Sequence, residues 1–170
     1  YENGYLLFKP IAGKDRLSNG ESNNVLGNVL LSQIPSWKRD HAAEIKYVGF
    51  TDKVYAPENS SYFFASYVGR DKLNFNPFFI DTDKIDTSKV VNMFGMFSGL
   101  TNLKKLDIGN WNTSNVTNMS GMFDGMPILK ELRIGSKFNT INVTNMERMF
   151  YNLPELTELD LSNANFNTSK

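Results

Sequence analysis

The sequence contains no cysteine and a single histidine, His41, and its 18 Lys and Arg residues are matched by 18 Asp and Glu. Each shortage excludes a class of protein. Without thiols there are no disulfide staples and no cysteine nucleophile, and neither a reducing nor an oxidising compartment is indicated. Without a basic excess there is little to neutralise a phosphate backbone, so no nucleic-acid partner is expected. Apolar runs stop after a few residues, as in Tyr5-Leu6-Leu7-Phe8, whereas a bilayer-crossing helix needs about 20. Membrane insertion by this segment is therefore not expected. No charged, then apolar, then small-residue leader opens the chain, so a signal peptide is taken as removed or absent. What remains is 170 residues, 41% of them hydrophobic, which suits one soluble domain with its own core.

Catalytic constellations are scarce as well. The familiar nucleophile and base pairs reduce here to carboxylates and Ser or Lys arrangements, none at a recognisable spacing. Gly13-Lys14 lacks the upstream glycine of a phosphate-cradling loop. Asp81-Thr82-Asp83-Lys84-Ile85-Asp86 superficially resembles a calcium loop but lacks its glycine and distal glutamate. Asp at a strand exit commonly builds a turn instead. No catalytic residue, cofactor or metal site is assigned, and the chain is read as a non-enzyme.

What the sequence does have is repetition. Val90-Val91-Asn92-Met93-Phe94-Gly95-Met96-Phe97 shares V-x-N-M-x-x-M-F with the segments at Val116-Thr117-Asn118-Met119 and Val143-Thr144-Asn145-Met146, at spacings of 26 and 27 residues. Such a period marks stacked arrays. In step with it runs L-x-x-L-x-L, at Leu103-x-x-Leu106-x-Ile108, Leu129-x-x-Leu132-x-Ile134 and Leu156-x-x-Leu159-x-Leu161. Degenerate forms stand at Phe75-x-x-Phe78-x-Ile80 and Ile45-x-x-Val48-x-Phe50, making five rungs. A bulky apolar residue follows each rung (Val54, Ile85, Trp111, Phe138, Phe166), and Thr87, Thr113, Thr140 and Thr168 come two places after the last four.

Each element has a physical place. Met, Met and Phe at i, i+3 and i+4 lie on one face of a short helix, and alternation in L-x-L is the period of a half-buried strand. No single repeat buries its apolar face alone, so stability comes from stacking. The expected fold is an α/β solenoid resembling a leucine-rich repeat, with a short helix and a parallel strand per turn and all five strands in one continuous sheet. Met93, Met119 and Met146 are expected in one buried column, and Trp111, Phe138 and Phe166 in another. Asn92, Asn118 and Asn145 are read as inward side chains that satisfy backbone groups of adjacent turns.

Together, L-x-x-L-x-L, W/F-N-T-S/I-N-V and N-M-x-x-M-F resemble the BspA-like leucine-rich repeats of bacterial surface proteins, over roughly residues 45–170. The resemblance implies extracellular or cell-surface location, adhesion or host-factor binding, and no catalysis. Repeats of that family often carry Cys just after the Met-Phe pair, where this chain has Gly99, Gly125 and Asn152. A disulfide or redox role is thereby removed without disturbing the fold.

Residues 1–44 do not repeat. They are read as an N-terminal cap in which Tyr5 to Phe8 form a strand and Trp37 packs near the first rung, ahead of a solenoid over residues 45–170. Within it, residues 45–84 are degenerate and 85–170 regular, and the array is expected to be truncated after Lys170. Its last repeat would then expose an apolar end and a strand edge, favouring end-to-end self-association.

The polar face of the strand wall is the candidate interaction surface: Tyr47, Phe79, Lys104, Lys105, Asp107, Lys130, Glu131, Arg133, Glu158 and Asp160. Asp107, Arg133 and Asp160 should lie side by side, as should Lys105 and Glu131, while Phe79 is an outward ring next to Pro77. The preferred function is a non-catalytic module binding a host protein or glycan. A structural spacer is the alternative, and a carbohydrate-active enzyme fragment, for which Glu158 and Asp160 give poor support, is the reading from another class.

Overall fold

The computed structural model describes residues 5–8, 45–50, 53–68, 71–72 and 75–167. Most of the expected N-terminal cap, Trp37 included, lies outside the described residues, as does Thr168. The strand expected at the start of the chain is present as β1 (Tyr5–Phe8). It pairs in parallel with β2 (Tyr47–Phe50), Tyr5 opposite Tyr47 and Phe8 opposite Phe50. Pairs of two-residue strands follow: β3 (Val54–Tyr55) with β7 (Ile85–Asp86) in parallel, and β4 (Tyr67–Val68) with β5 (Asp71–Lys72) antiparallel. β6 (Phe79–Ile80) joins β2 in parallel, and β8 (Lys105–Ile108), β9 (Glu131–Ile134) and β10 (Glu158–Asp160) form a second parallel sheet in chain order.

The five strands expected in one continuous sheet thus fall into two, β2 and β6 with β1 added at the edge, and β8-β9-β10. Between them the described links are made by side chains. Asn102 donates its backbone N–H to Asn76 Oδ1 at 3.0 Å and its amide to the Asn76 carbonyl at 3.1 Å, and the Thr82 hydroxyl donates to the Asp107 carbonyl.

The second rung is also shifted by two residues from its expected place. Val48 pairs with Ile80 and Tyr47 with Phe79. Residues 77–82 then show the burial pattern of residues 103–108, with Pro77, Ile80 and Thr82 inward and Phe78 and Phe79 outward. The Phe75, Phe78, Ile80 spacing was a coincidence of apolar residues. The β4–β5 hairpin, inserted before this rung, lengthens the first period.

The expected short helix is corrected too: no helix occurs among the described residues. In an α-helix each N–H returns to the carbonyl four residues back. Here the N–H groups of Met93, Gly95, Phe97 and Gly99 leave their own repeat and donate to the carbonyls of Asn118, Ser120, Met122 and Asp124, each at 2.9 Å. Met119, Gly121, Phe123 and Gly125 donate likewise to Asn145, Glu147, Met149 and Tyr151. Within a repeat the bonds close three residues back, as from Met96 to Met93 at 3.2 Å, so the segment is a run of tight turns. Gly95 and Gly121 take φ of 59° and 60° there, a left-handed backbone that glycine adopts without steric penalty.

Consecutive tight turns put i, i+3 and i+4 on one side just as a helix does. Met93, Met96, Phe97, Met119, Met122 and Phe123 are accordingly fully buried, with Trp111 and Phe138. Rings stack from one repeat to the next: Phe64 on Phe97 at 5.4 Å, Phe97 on Phe123 at 5.9 Å, Phe123 on Phe150 at 5.6 Å. Each buried ring contributes roughly 1.5–3 kcal/mol by leaving water, and each stacked pair about 1 kcal/mol more.

The side-chain oxygens of Asn92, Asn118 and Asn145 act locally rather than across repeats. Oδ1 of Asn92, Asn118 and Asn145 each accepts the N–H two residues on, from Phe94, Ser120 and Glu147, at 2.9 Å. Side-chain bridges between repeats are made elsewhere: the Asn115 and Asn142 amides donate to the Ser88 and Ser114 carbonyls at 2.8 and 2.7 Å, and three threonines each make a pair of bonds. Thr87 Oγ1 donates to the Asn112 carbonyl and accepts the Asn112 N–H, both at 2.9 Å. Thr113 does the same with Asn139, at 2.9 and 2.7 Å, and Thr140 with Asn167, at 3.3 and 2.7 Å.

Candidate functional site

Alternation along the strands sorts their side chains into two sets. Leu106, Ile108, Leu132 and Ile134 are buried, and Lys105, Asp107, Glu131 and Arg133 face out. Register places Lys105 opposite Glu131 and Asp107 opposite Arg133. Lys105 Nζ lies 2.6 Å from Glu131 Oε1, and Arg133 Nη1 lies 2.8 Å from Asp107 Oδ2. The hydrogen bond and charge of Asp107 raise the Arg133 pKa further above its ordinary value.

The third rung of charge behaves differently. Asp160 stands opposite Arg133, as expected from spacing, but its carboxylate accepts the Ser162 N–H at 2.8 Å. The Ser162 hydroxyl and N–H together lower its pKa. Glu158 stands opposite Glu131, a like-charge pair. Lys104 and Lys130 are exposed along the entry side of the wall. Their carbonyls each accept two N–H groups from the next repeat: Lys130 and Glu131 onto Lys104, Thr157 and Glu158 onto Lys130.

At the β2–β6 end the wall is aromatic. Tyr47 and Phe79 are register partners, 37% and 52% exposed. Phe78 is 50% exposed, with the Lys46 ammonium 5.4 Å from its ring centroid. Sequence reading found Tyr47 and Phe79 but missed Phe78, which it had turned inward. The adjacent Pro77 was the available signal, because it occupies the first inward position of the shifted rung.

A polar hollow of about 410 Å³, which the sequence did not reveal, lies where the chain leaves the strands. Its lining includes Lys53, Asp83, Lys84, Asp86, Asn110, Asn112 and Lys137. Burial pushes the Asp86 carboxyl up, but hydrogen bonds from Lys53 and Ser88 and the Lys53 charge outweigh it and hold the group at about 2. Asp81 and Asp86, read in the sequence as turn formers, accept the N–H groups of Asp83 at 3.0 Å and Ser88 at 2.9 Å.

Residues 64–170 match the family described as Mycoplasma protein of unknown function, DUF285, and the chain belongs to that family. The match takes in the three clear repeats and stops short of the first rung. No curated protein and no solved structure matches the chain.

Proposed function

We propose that this DUF285 domain is a non-catalytic interaction module, built as a BspA-like leucine-rich-repeat solenoid and displayed on a bacterial surface, where it binds a host protein or glycan. Support comes from parallel pairing at the spacing of the sequence repeat, together with the family resemblance of its motifs. The observation that carries the binding role is the exposed cluster of Tyr47, Phe78 and Phe79 beside the charged wall. Exposed aromatics grouped together on a rigid sheet are a common anchor for partners.

An array of host extracellular proteins and glycans tests this reading. Tyr47→Ala with Phe79→Ala should abolish retention of any ligand while leaving the melting temperature within about 2 °C. Retention unchanged by that pair would move the binding role elsewhere. The spacer reading draws on the Lys105–Glu131 and Arg133–Asp107 pairs, in which the wall satisfies its own charges. It gains if the wild-type chain retains nothing on the array.

A further inference from the structure

We propose that the hollow beside the strand exits binds a carboxylated sugar, a uronate unit of an acidic glycan. The site lies off the strand wall and stands whether or not that wall binds a partner.

The hollow is assembled by stacking. Lys53, Lys84, Asn110 and Lys137 each precede the inward apolar residue of their repeat, Val54, Ile85, Trp111 and Phe138, so four repeats deliver one side chain each to the same edge. Neighbouring strands stand about 4.8 Å apart. Lys84 and Lys137 therefore bracket the Asn110 repeat at roughly twice that separation, about the span of one sugar ring and its linkages.

The groups are not equivalent. Lys53 is committed to Asp86 at 2.8 Å, which neutralises that carboxylate. Among the described residues no carboxylate pairs with Lys137. Asn112 Oδ1 accepts the Ser114 N–H at 3.0 Å, and its amide hydrogens have no described protein acceptor. Asn110 donates to Asp83 Oδ1 at 3.4 Å. The hollow thus offers ammonium at its far end, amide donors and acceptors in the middle, and the Asp83 carboxylate as an acceptor beside them.

Ligand classes sort by that order. A neutral sugar satisfies the amides and Asp83 but leaves the Lys137 ammonium without a counter-charge. A dense polyanion meets the ammonium but is repelled by Asp83 and gives the asparagine carbonyls nothing to accept. A carboxylate on Lys137, with hydroxyls donating to Asp83 and accepting from Asn112, answers all three.

Titration of the chain with tri-galacturonate at neutral pH, followed by calorimetry and by amide NMR, tests the assignment. Saturable binding is expected, with shifts at the side-chain amides of Asn110 and Asn112. Lys137→Gln should weaken it about tenfold or more, as for loss of one charge-assisted contact, and Lys105→Gln on the wall should not. A carboxyl-reduced neutral trisaccharide should bind at least about tenfold more weakly, as should tri-glutamate. Equal binding of tri-glutamate would show that charge alone is read and would overturn the sugar assignment. So would equal binding of the neutral sugar, no saturation up to about 10 mM, an unaffected Lys137→Gln, or shifts confined to the wall.

Discussion

Met119 points into the core from the run of tight turns and Asp107 points outward from β8, and their substitution should separate inside from outside. Met119 is fully buried between neighbouring repeats, and Met119→Ala should destabilise by about 2–5 kcal/mol. Asp107 shares an exposed pair with Arg133, and Asp107→Ala should lose under about 1 kcal/mol. Equal losses in urea titrations would remove the assignment. Thr113 gives a sharper test, because its buried hydroxyl serves both the carbonyl and the N–H of Asn139. Thr113→Val keeps the shape and orphans both groups, so a loss of about 1–3 kcal/mol is expected in the same titration. A neutral result would mean that water takes over the bridge.

At the scale of elements, the β3–β7 pair is reinforced by the ion pair of Lys53 and Asp86 across neighbouring repeats. The Asp86 carboxyl titrates at about 2 in the fold against an ordinary 3.8. A depressed carboxyl stabilises the fold above its unfolded value, and the contribution is lost as pH falls from 3.8 through about 2. Discounted for solvent screening, it is on the order of 1 kcal/mol. Asp86→Asn should therefore be less stable than the wild type at pH 6 and converge on it near pH 2, as read by urea midpoints across that range. A gap that persists at pH 2 would point to lost geometry rather than lost charge.

At the scale of the molecule, burial thins along the stack. Met119 is fully buried, while its counterpart Met146 is only partly covered, and all three residues of β10 are exposed, Leu159 at 36%. Glu158 and Asp160 put two like charges on this strand, with Glu131 opposite Glu158. Met146→Ala should therefore destabilise the fold less than Met119→Ala, because less of its side chain leaves water. Urea titration of the two variants checks this, and equal losses would mean that partial cover packs Met146 as tightly as full burial packs Met119.

The period, the inward columns of Met and Phe and the pairing of Asp107 with Arg133 were readable from residue spacing, because a repeated sequence that stacks must place like positions side by side. The tight turns were not readable. Helix and turns leave Met93, Met96 and Phe97 on the same side, and the choice depends on whether their N–H groups find carbonyls in their own repeat or in the next. Nor was the register of the second rung, where Phe75, Phe78 and Ile80 offered a spacing as good as the one adopted by Pro77, Ile80 and Thr82. The recurrence of Asn92, Asn118 and Asn145 announced a structural role but not the partner, since an amide reaches its own turn as easily as a neighbour. The hollow was not legible as a site: Lys53, Lys84, Asn110 and Lys137 hold one repeat position, but they differ in residue type and come from four repeats. Only stacking, which brings distant residues within a few ångströms of each other, makes one site of them.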